Sequence, residues 1–232
     1  ETHRWSVVPM ASPYPLTPYM TTDIAYTHLT PWETFVFIHF YTVPLVCEAV
    51  PQIGCGCLAK PVLARLEVHP DIAEVWLHHR GDVIAIKWLR ELRVDQQVGL
   101  LRAALGGDSQ VALVAATTAS ALLATFPNPS YWYRRETVDQ LSQEEAHTMA
   151  ARLVQRRSQA RVPLPDGAAL QCDLACALLE VLVADEALPI EARLARLLGV
   201  ARNTFQQHLG PNALPQLEAW LTPAALLPEA AG

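Results

Sequence analysis

The alternation of hydrophobic and polar positions predicts strands in the first half of the chain and helices in the second. Residues 34–43 form a ten-residue run of β-branched and aromatic side chains, which is typical of a strand buried on both faces. A competing helix start lies just before it, at Thr30-Pro-Trp-Glu33, with a capping Thr, a Pro at the first helical position and a Glu at the third. We expect the strand, because its composition extends much further than the short capping pattern.

The segments that follow this strand predict a compact domain. They comprise a helix at Leu58–Glu67, strands at Ile72–Leu77 and Val83–Trp88 around a short Gly-containing turn, a helix at Asp95–Leu105 that stops at Gly106-Gly107, and a strand at Val111–Ala116. The order strand, helix, strand, strand, helix, strand is the split βαβ, or ferredoxin-like, arrangement. The sequence therefore predicts an α+β fold.

Beyond Pro127-Asn-Pro-Ser130 the pattern is helical throughout. Ser142-Gln-Glu-Glu145 matches a capping box that opens a helix ending near Gln159. Further helices are predicted at Ala168–Ala184, Pro189–Leu198 and Arg202–Leu209. The predicted organisation is a proline-rich arm at 1–32, a ferredoxin-like domain at 33–124, a linker at 125–140, a helical domain at 141–221 and a tail at 222–232.

Composition excludes several classes of protein. Of the 232 residues, 51% are hydrophobic and 17% charged, which excludes a disordered chain. The formal net charge of −6 argues against non-specific coating of nucleic acid. No apolar stretch reaches the ~20 residues that span a bilayer, so we expect no membrane association. The odd count of five cysteines does not resemble a disulfide framework and favours a cytoplasmic location.

Three closely spaced cysteines are the main chemical feature. Cys55 and Cys57 lie in a glycine-containing loop at a predicted helix start, and Cys47 lies eight residues upstream. A helix N-terminus lowers the pKa of a thiol, and thiolates are soft ligands that suit Cu(I) and Zn. The spacing predicts a soft-metal site with Cys47, Cys55 and Cys57 as ligands, or a redox-active pair. Small buried thiols that only pack in a tight loop remain the alternative.

Other candidate ligands carry weaker signals. His78 and His79 are expected at an exposed turn, where adjacent side chains point to opposite faces. His39 is expected to be a hydrogen-bonded core residue. Cys172 and Cys176 are four residues apart on a predicted helix, with at least one expected in the core.

Residues 34–116 resemble a heavy-metal-associated domain, the fold of small copper chaperones and mercury-binding proteins. The similar features are the first strand, the cysteine loop that opens helix one and the hairpin at the expected distance. The family motif is Cys-x-x-Cys. Cys55 matches its first cysteine, Leu58 occupies the second position, and Cys57 lies one residue earlier. The resemblance covers about a third of the chain and implies a ferredoxin-like fold that binds a soft metal.

The segment 189–209 resembles a helix-turn-helix with Gly199 at its turn. The predicted second helix carries side chains that pair with base edges or dock a peptide: Arg202, Asn203, Gln206 and Gln207. A basic stripe that could meet phosphates comprises Arg152, Arg156, Arg157 and Arg161. Simple helical packing, DNA binding and peptide docking all remain open from these residues.

The leading functional hypothesis is a soft-metal (copper-type) or thiol-handling protein. One alternative is a metal- or redox-responsive DNA-binding regulator, which would be a homodimer. Another is a non-catalytic accessory subunit in a heterodimer, which docks a peptide substrate onto a metalloenzyme as in methanobactin-type copper-peptide maturation. The sequence contains no phosphate loop, nucleophile elbow, His-Glu-x-x-His or kinase motif, which favours a non-catalytic role.

Overall fold

The computed structural model describes residues 37–159, 166–184, 188–210 and 214–228. In these residues the chain forms an α+β fold with one five-stranded antiparallel sheet and eight helices. The elements are β1 (Phe37–Thr42), α1 (Gly56–Glu67), β2 (Ile72–His78), β3 (Val83–Trp88), α2 (Val94–Leu105), β4 (Ala112–Leu113), α3 (Ala116–Thr125), β5 (Trp132–Tyr133), α4 (Asp139–Gln159), α5 (Gly167–Val183), α6 (Ile190–Leu209), α7 (Leu214–Trp220) and α8 (Pro223–Leu226). None of these helices is both long and apolar enough to cross a membrane.

The sheet has the strand order β4-β1-β3-β2-β5, with every neighbouring pair antiparallel. β1 pairs with β3 along its whole length, from Phe37 opposite Trp88 to Thr42 opposite Val83. The predicted hairpin is confirmed as β2 and β3. The predicted first strand is confirmed over Phe37–Thr42, whereas its first three residues, the rival helix start at 30–33 and the arm at 1–32 lie outside the described residues.

Both faces of the sheet are covered, which explains the continuous hydrophobic composition of its strands. Tyr41 and Ile86 lie in the core cluster that contains α1 and α2. Phe40 precedes Tyr41 in sequence, and Ala85 precedes Ile86. Both lie with Trp132 in a second cluster, against which α3 packs. Successive residues of a strand point to opposite faces, so each face takes every second side chain.

The structure adds to the prediction in the segment 111–140. The strand predicted at Val111–Ala116 is confirmed over Ala112–Leu113 alone, and it is followed by α3, in a segment for which the sequence predicts no element. The predicted linker contains β5, which pairs with the edge of β2. α3 and β5 form because the hydrophobic side chains on the second face of the sheet need to be covered. The rings of Phe126 and Trp132 pack edge-to-face at 5.2 Å and both contact Phe40.

The capping box predicted at Ser142 is also wrong, because α4 begins at Asp139. A turn closed by the N–H groups of Thr137 and Val138, which donate to the Arg134 carbonyl, leads directly into the helix. Ser142 is therefore fully buried inside the helix and caps nothing. The four-residue signature is short, and here the preceding turn sets the helix start.

The helix-turn-helix predicted at 189–209 is wrong, because α6 is a single helix through Gly199. Gly199 is not among the glycines with positive φ, so its backbone continues the helix. The buried stripe begun by Leu197 continues through Ala201 and Phe205 without a change of register. The DNA-binding alternative depended on a break here and loses its structural basis.

The predicted basic stripe and the predicted tail pack against each other. Arg152 donates to the Leu226 carbonyl at 2.6 Å, and Arg156 donates to the carbonyls of Ala224 and Leu227. Arg157 is fully buried, and Arg161 lies outside the described residues. The residues predicted as a tail therefore include α8, and its attachment occupies Arg152 and Arg156, two arginines of the predicted basic stripe.

Gly199→Ala tests the continuity of α6. A Cβ built at Gly199 meets nothing within 4 Å, and the helical backbone suits alanine. We expect the free energy of unfolding to rise by about 0.5–1 kcal/mol in urea denaturation. Gly210→Ala is the control, because the φ of 79° at Gly210 should make the same substitution destabilising. Destabilisation by Gly199→Ala would instead support a turn at this position.

Candidate metal centre

The loop between β1 and α1 folds back on itself and places two cysteines side by side. The Cys47 N–H donates to the Ile53 carbonyl at 2.9 Å, and the Cys55 N–H donates to the Leu45 carbonyl at 2.7 Å. An isolated antiparallel bridge between residues 46 and 54 lies between these two hydrogen bonds. Residues 47 and 55 are therefore held on adjacent stretches of backbone although they are eight positions apart.

This loop is fastened to the β2–β3 turn. The Leu45 N–H donates to the Gly81 carbonyl at 3.0 Å, and the Gly54 N–H donates to the His79 carbonyl at 2.6 Å. The approach is so close that a Cβ on Gly54 would lie 2.9 Å from the Gly81 Cα. Gly81 also has a φ of 73°, which side-chain-bearing residues rarely adopt. Glycine at both positions lets the sheet fix the loop.

The first turn of α1 supplies the third cysteine. Cys55 is the N-cap residue, which confirms the prediction that it lies at a helix N-terminus. The helix starts at Gly56 rather than at the predicted Leu58, so Pro61 lies in the second turn instead of the first. Proline has no N–H to give to the carbonyl four residues earlier, which belongs to Cys57. The positive end of the helix dipole faces the cluster and favours a thiolate there.

The structure brings the three predicted ligand cysteines together and adds a carboxylate. The sulfurs of Cys47 and Cys55 and a carboxylate oxygen of Glu145 all lie within 4.8 Å of one another. The Sγ atoms of Cys55 and Cys57 are 3.1 Å apart. Cys47, Cys55 and Glu145 are buried, and Cys57 is half-buried. Three potential ligands therefore converge on one place, and Cys57 adjoins them through its contact with Cys55.

Glu145 is the functional candidate that sequence reasoning missed. Its Oε2 is buried without a hydrogen-bond partner among the described residues, an arrangement that costs about 1–3 kcal/mol when nothing compensates it. The sequence did contain a signal. Glu145 is four residues from both Leu141 and Met149, so the carboxylate lies on the apolar stripe of α4. We had assigned it to the capping box instead.

The charges of the cluster are coupled. Hydrogen bonds from the thiols of Cys47 and Cys57 hold the pKa of Cys55 well below its ordinary value. The same bonds, with burial, raise the pKa values of Cys47 and Cys57. Burial, and then the nearby charge of Cys55, raise the pKa of Glu145 to about 8. One thiolate is thus shared by two thiols beside a carboxyl group that is largely neutral at pH 7.

The cluster lies where the core of the sheet meets the core of the helices. Val138, just before α4, and Leu141 in its first turn pack into the sheet core, and the next turns of α4 pack into the helical core through Ala146 and Met149. Cys57 contacts both cores. A cavity of about 160 Å³ opens at this junction. Its lining includes the three cysteines, Glu145, Met149 and Arg193, with Leu194 and Leu197 of α6.

Arg193 is the cation of the site, and sequence reasoning did not single it out. Its Nη1 donates to the Cys57 sulfur at 3.2 Å, across 136 positions of sequence. Its positive charge adds to the lowering of the Cys55 pKa and partly opposes the rise of the Cys57 pKa. No local pattern could reveal this pair, because it forms only when α6 packs against the cysteine loop.

The histidines pair with other side chains. His39 contacts the Gln97 side chain at 3.1 Å, which confirms that it is hydrogen-bonded, but it is half-buried rather than in the core. His78 lies 3.6 Å from Asp82, and His79 lies 3.0 Å from Glu144. Among the described residues, the one cluster of His, Cys, Asp and Glu side chains close enough to hold a metal is that of Cys47, Cys55 and Glu145.

The remaining candidates do not line the cysteine cavity. Cys172 and Cys176 are both exposed, so the prediction that at least one is in the core is wrong. The leucines at 170, 174 and 178 occupy the buried face of α5 instead. On α6, Gln206 is half-buried and three side chains are exposed: Arg202, Asn203 and Gln207. Nothing in their surroundings distinguishes them from an ordinary solvent-facing surface.

Gly56→Ala tests how the carboxylate is positioned. A Cβ at Gly56 would collide with the Ser142 Oγ and would lie 2.8 Å from the Val138 carbonyl oxygen. We expect α4 to be displaced from α1, with a loss of more than about 1 kcal/mol in urea-measured stability, as is typical of overpacking. Gly99→Ala in α2, where a Cβ meets nothing within 4 Å, is the control and should not destabilise the protein. Equal effects of the two substitutions would contradict the close approach.

Comparison with known proteins finds no match to this chain. No family model matches the chain, and neither curated proteins nor solved structures give a significant match.

Proposed function

We propose that this chain is a soft-metal-binding protein that holds one Cu(I) or Zn(II) ion with Cys47, Cys55, Cys57 and Glu145. The observation that carries the proposal is the convergence of two buried thiols and a buried carboxylate within 4.8 Å, where one carboxylate oxygen has no hydrogen-bond partner. A buried carboxyl oxygen without a partner is costly, and a bond from that oxygen to a cation would remove this cost.

The donor set suits ions with filled d shells. Thiolates are soft ligands for Cu(I) and Zn(II), and Zn(II) also accepts a carboxylate as one of four ligands. Cu(I) would be held by the sulfurs alone. In either case, deprotonation of the thiols offsets the charge of the ion, and Arg193 offsets the excess negative charge. Both ions share the sulfur chemistry, so the experiment must distinguish them.

We further propose that the sheet region is a ferredoxin-like domain related to heavy-metal-associated domains. The support is the strand order β4-β1-β3-β2, antiparallel throughout, with cysteines between β1 and α1. The chain adds three things to that plan: α3 and β5 on the sheet, and a helical layer that contributes Glu145 and Arg193. The helical layer encloses the cysteines, which would otherwise lie in a surface loop.

Thiol–disulfide exchange is a second candidate function, favoured by the 3.1 Å separation of the Cys55 and Cys57 sulfurs. The low pKa of Cys55 would suit a nucleophile. The two functions make different demands on Cys47. A Cys55–Cys57 disulfide does not need Cys47, whereas a site with three thiolates does. Cys47→Ser therefore separates the two candidates.

Serine variants of the three cysteines test the metal site. We expect reduced wild-type protein to bind one Cu(I) or Zn(II) per chain, in separate anaerobic titrations against a chromogenic chelator for each ion. Cys47→Ser, Cys55→Ser and Cys57→Ser should each weaken binding of the preferred ion, because each removes a thiolate. Cys172→Ser/Cys176→Ser is the matched control and should bind like wild type, since both sulfurs are exposed on α5. Binding that survives Cys47→Ser/Cys55→Ser unchanged would contradict the proposal.

Glu145→Leu separates the metal role from a structural role. Removal of a buried carboxyl with an unpaired oxygen should raise the stability of the metal-free protein by about 1–2 kcal/mol. The same change should lower Zn(II) affinity by about 10–100-fold, the range reported for weakened metal-site support. Thermal unfolding without metal and chelator competition with metal give the two readouts. A variant that loses stability and keeps full affinity would show that Glu145 serves packing alone.

A further inference from the structure

A second cavity adjoins the metal centre and is much larger. This cleft has a volume of about 680 Å³, within the range of small-molecule sites. Among the three clustered cysteines, only Cys57 lines both the cleft and the smaller cavity. Arg193 also lines both. The cleft therefore leads to the metal centre through Cys57, while Cys47 and Cys55 lie behind it.

The cleft is lined by cations. Four basic side chains line it: Lys60, Arg65, Arg135 and Arg193. No described Asp or Glu is part of its lining. Lys60 is paired with Asp139 at 2.8 Å, whereas the partners of Arg65 among the described residues are the carbonyl groups of Pro61 and Ala104. Because carbonyl groups carry no net charge, these hydrogen bonds do not neutralise the positive charge of Arg65. Asp185 and Glu186, which follow Ala184 in sequence, lie outside the described residues.

These features define what would fit the cleft. A ligand held by several cations carries carboxylates or other anionic groups. A ligand that exchanges a soft metal with Cys57 carries sulfur. The volume suits a molecule of a few residues or fewer. Carboxylate-bearing small thiols, of which glutathione is an example, combine all three properties.

We propose that the cleft docks a carboxylate-bearing low-molecular-mass thiol, which exchanges a soft metal ion with Cys57. This inference rests on the proposed metal-binding function and names the exchange partner for it. The step is a ligand substitution without redox change. The Cys57 sulfur forms a bond to the metal, one donor thiolate leaves it, and the proton of the Cys57 thiol passes to that departing thiolate. The Cys55 thiolate then binds the ion further inside, and Cys47 follows as its thiol proton passes to the second donor thiolate, which leaves the metal.

The test measures Cu(I) transfer to reduced, full-length protein from two donors, glutathione and the neutral thiol dithiothreitol. Arg65→Gln/Arg135→Gln should slow transfer from the glutathione complex by about tenfold or more, because it removes electrostatic attraction. Transfer from the dithiothreitol complex and the equilibrium affinity for Cu(I) should stay unchanged. Arg80→Gln/Arg202→Gln removes two exposed arginines that do not line the cleft and should transfer at the wild-type rate.

Wild-type protein supplies a readout that does not depend on the variants folding. Raising the ionic strength should slow transfer from glutathione and leave transfer from dithiothreitol unaffected. Asp185→Asn/Glu186→Gln should not slow transfer from glutathione. If salt slowed Cu(I) transfer equally from both donors, or if both pairs of arginine substitutions slowed it equally, the cleft assignment would be overturned. The proposed metal-binding function would not be affected by either result. Failure of wild-type protein to bind Cu(I) tightly would overturn both this assignment and the Cu(I) part of the proposed function.

Discussion

The close packing of α1 against α4 at Gly56 is the constraint on which the site depends. The absent side chain at residue 56 lets the first turn of α1 approach Ser142 of α4 and Val138, the residue just before that helix. Glu145 lies three residues beyond Ser142, so the same contact holds its carboxylate beside the cysteines. The sheet fastens the cysteine loop from the other side through Gly54 and Gly81. Two independent parts of the fold therefore converge on one cluster.

The cluster is energetically unfavourable as packing alone. It places Glu145, which has an unpaired oxygen, next to the Cys55 thiolate at the junction of two hydrophobic cores. Apolar residues of similar size would fill this space at lower cost. The hydrogen bonds among the thiols and the contact of Arg193 with Cys57 reduce the penalty. A metal ion that bonds to all four side chains would reverse it, which is the physical basis of the functional proposal.

The sequence predicted what depends on local pattern. The hairpin of β2 and β3, the Gly106 stop of α2 and the helix start at Cys55 all follow from neighbouring residues. It failed where packing between distant segments decides the outcome. At Gly199, the continued apolar stripe outweighs the modest cost of a glycine inside a helix. The cysteines could be selected from their spacing, but Arg193 meets Cys57 across 136 positions, and only the fold brings the two together.

X-ray absorption spectroscopy of metal-loaded protein would identify the atoms bound to the ion. We expect Zn(II)-loaded protein to show three sulfur neighbours at about 2.3 Å and a fourth, oxygen ligand. Cu(I)-loaded protein should show sulfur neighbours alone. A spectrum dominated by nitrogen or oxygen for both ions, or one unchanged when Cys55 is replaced by serine, would contradict the assignment of this cluster as a metal centre.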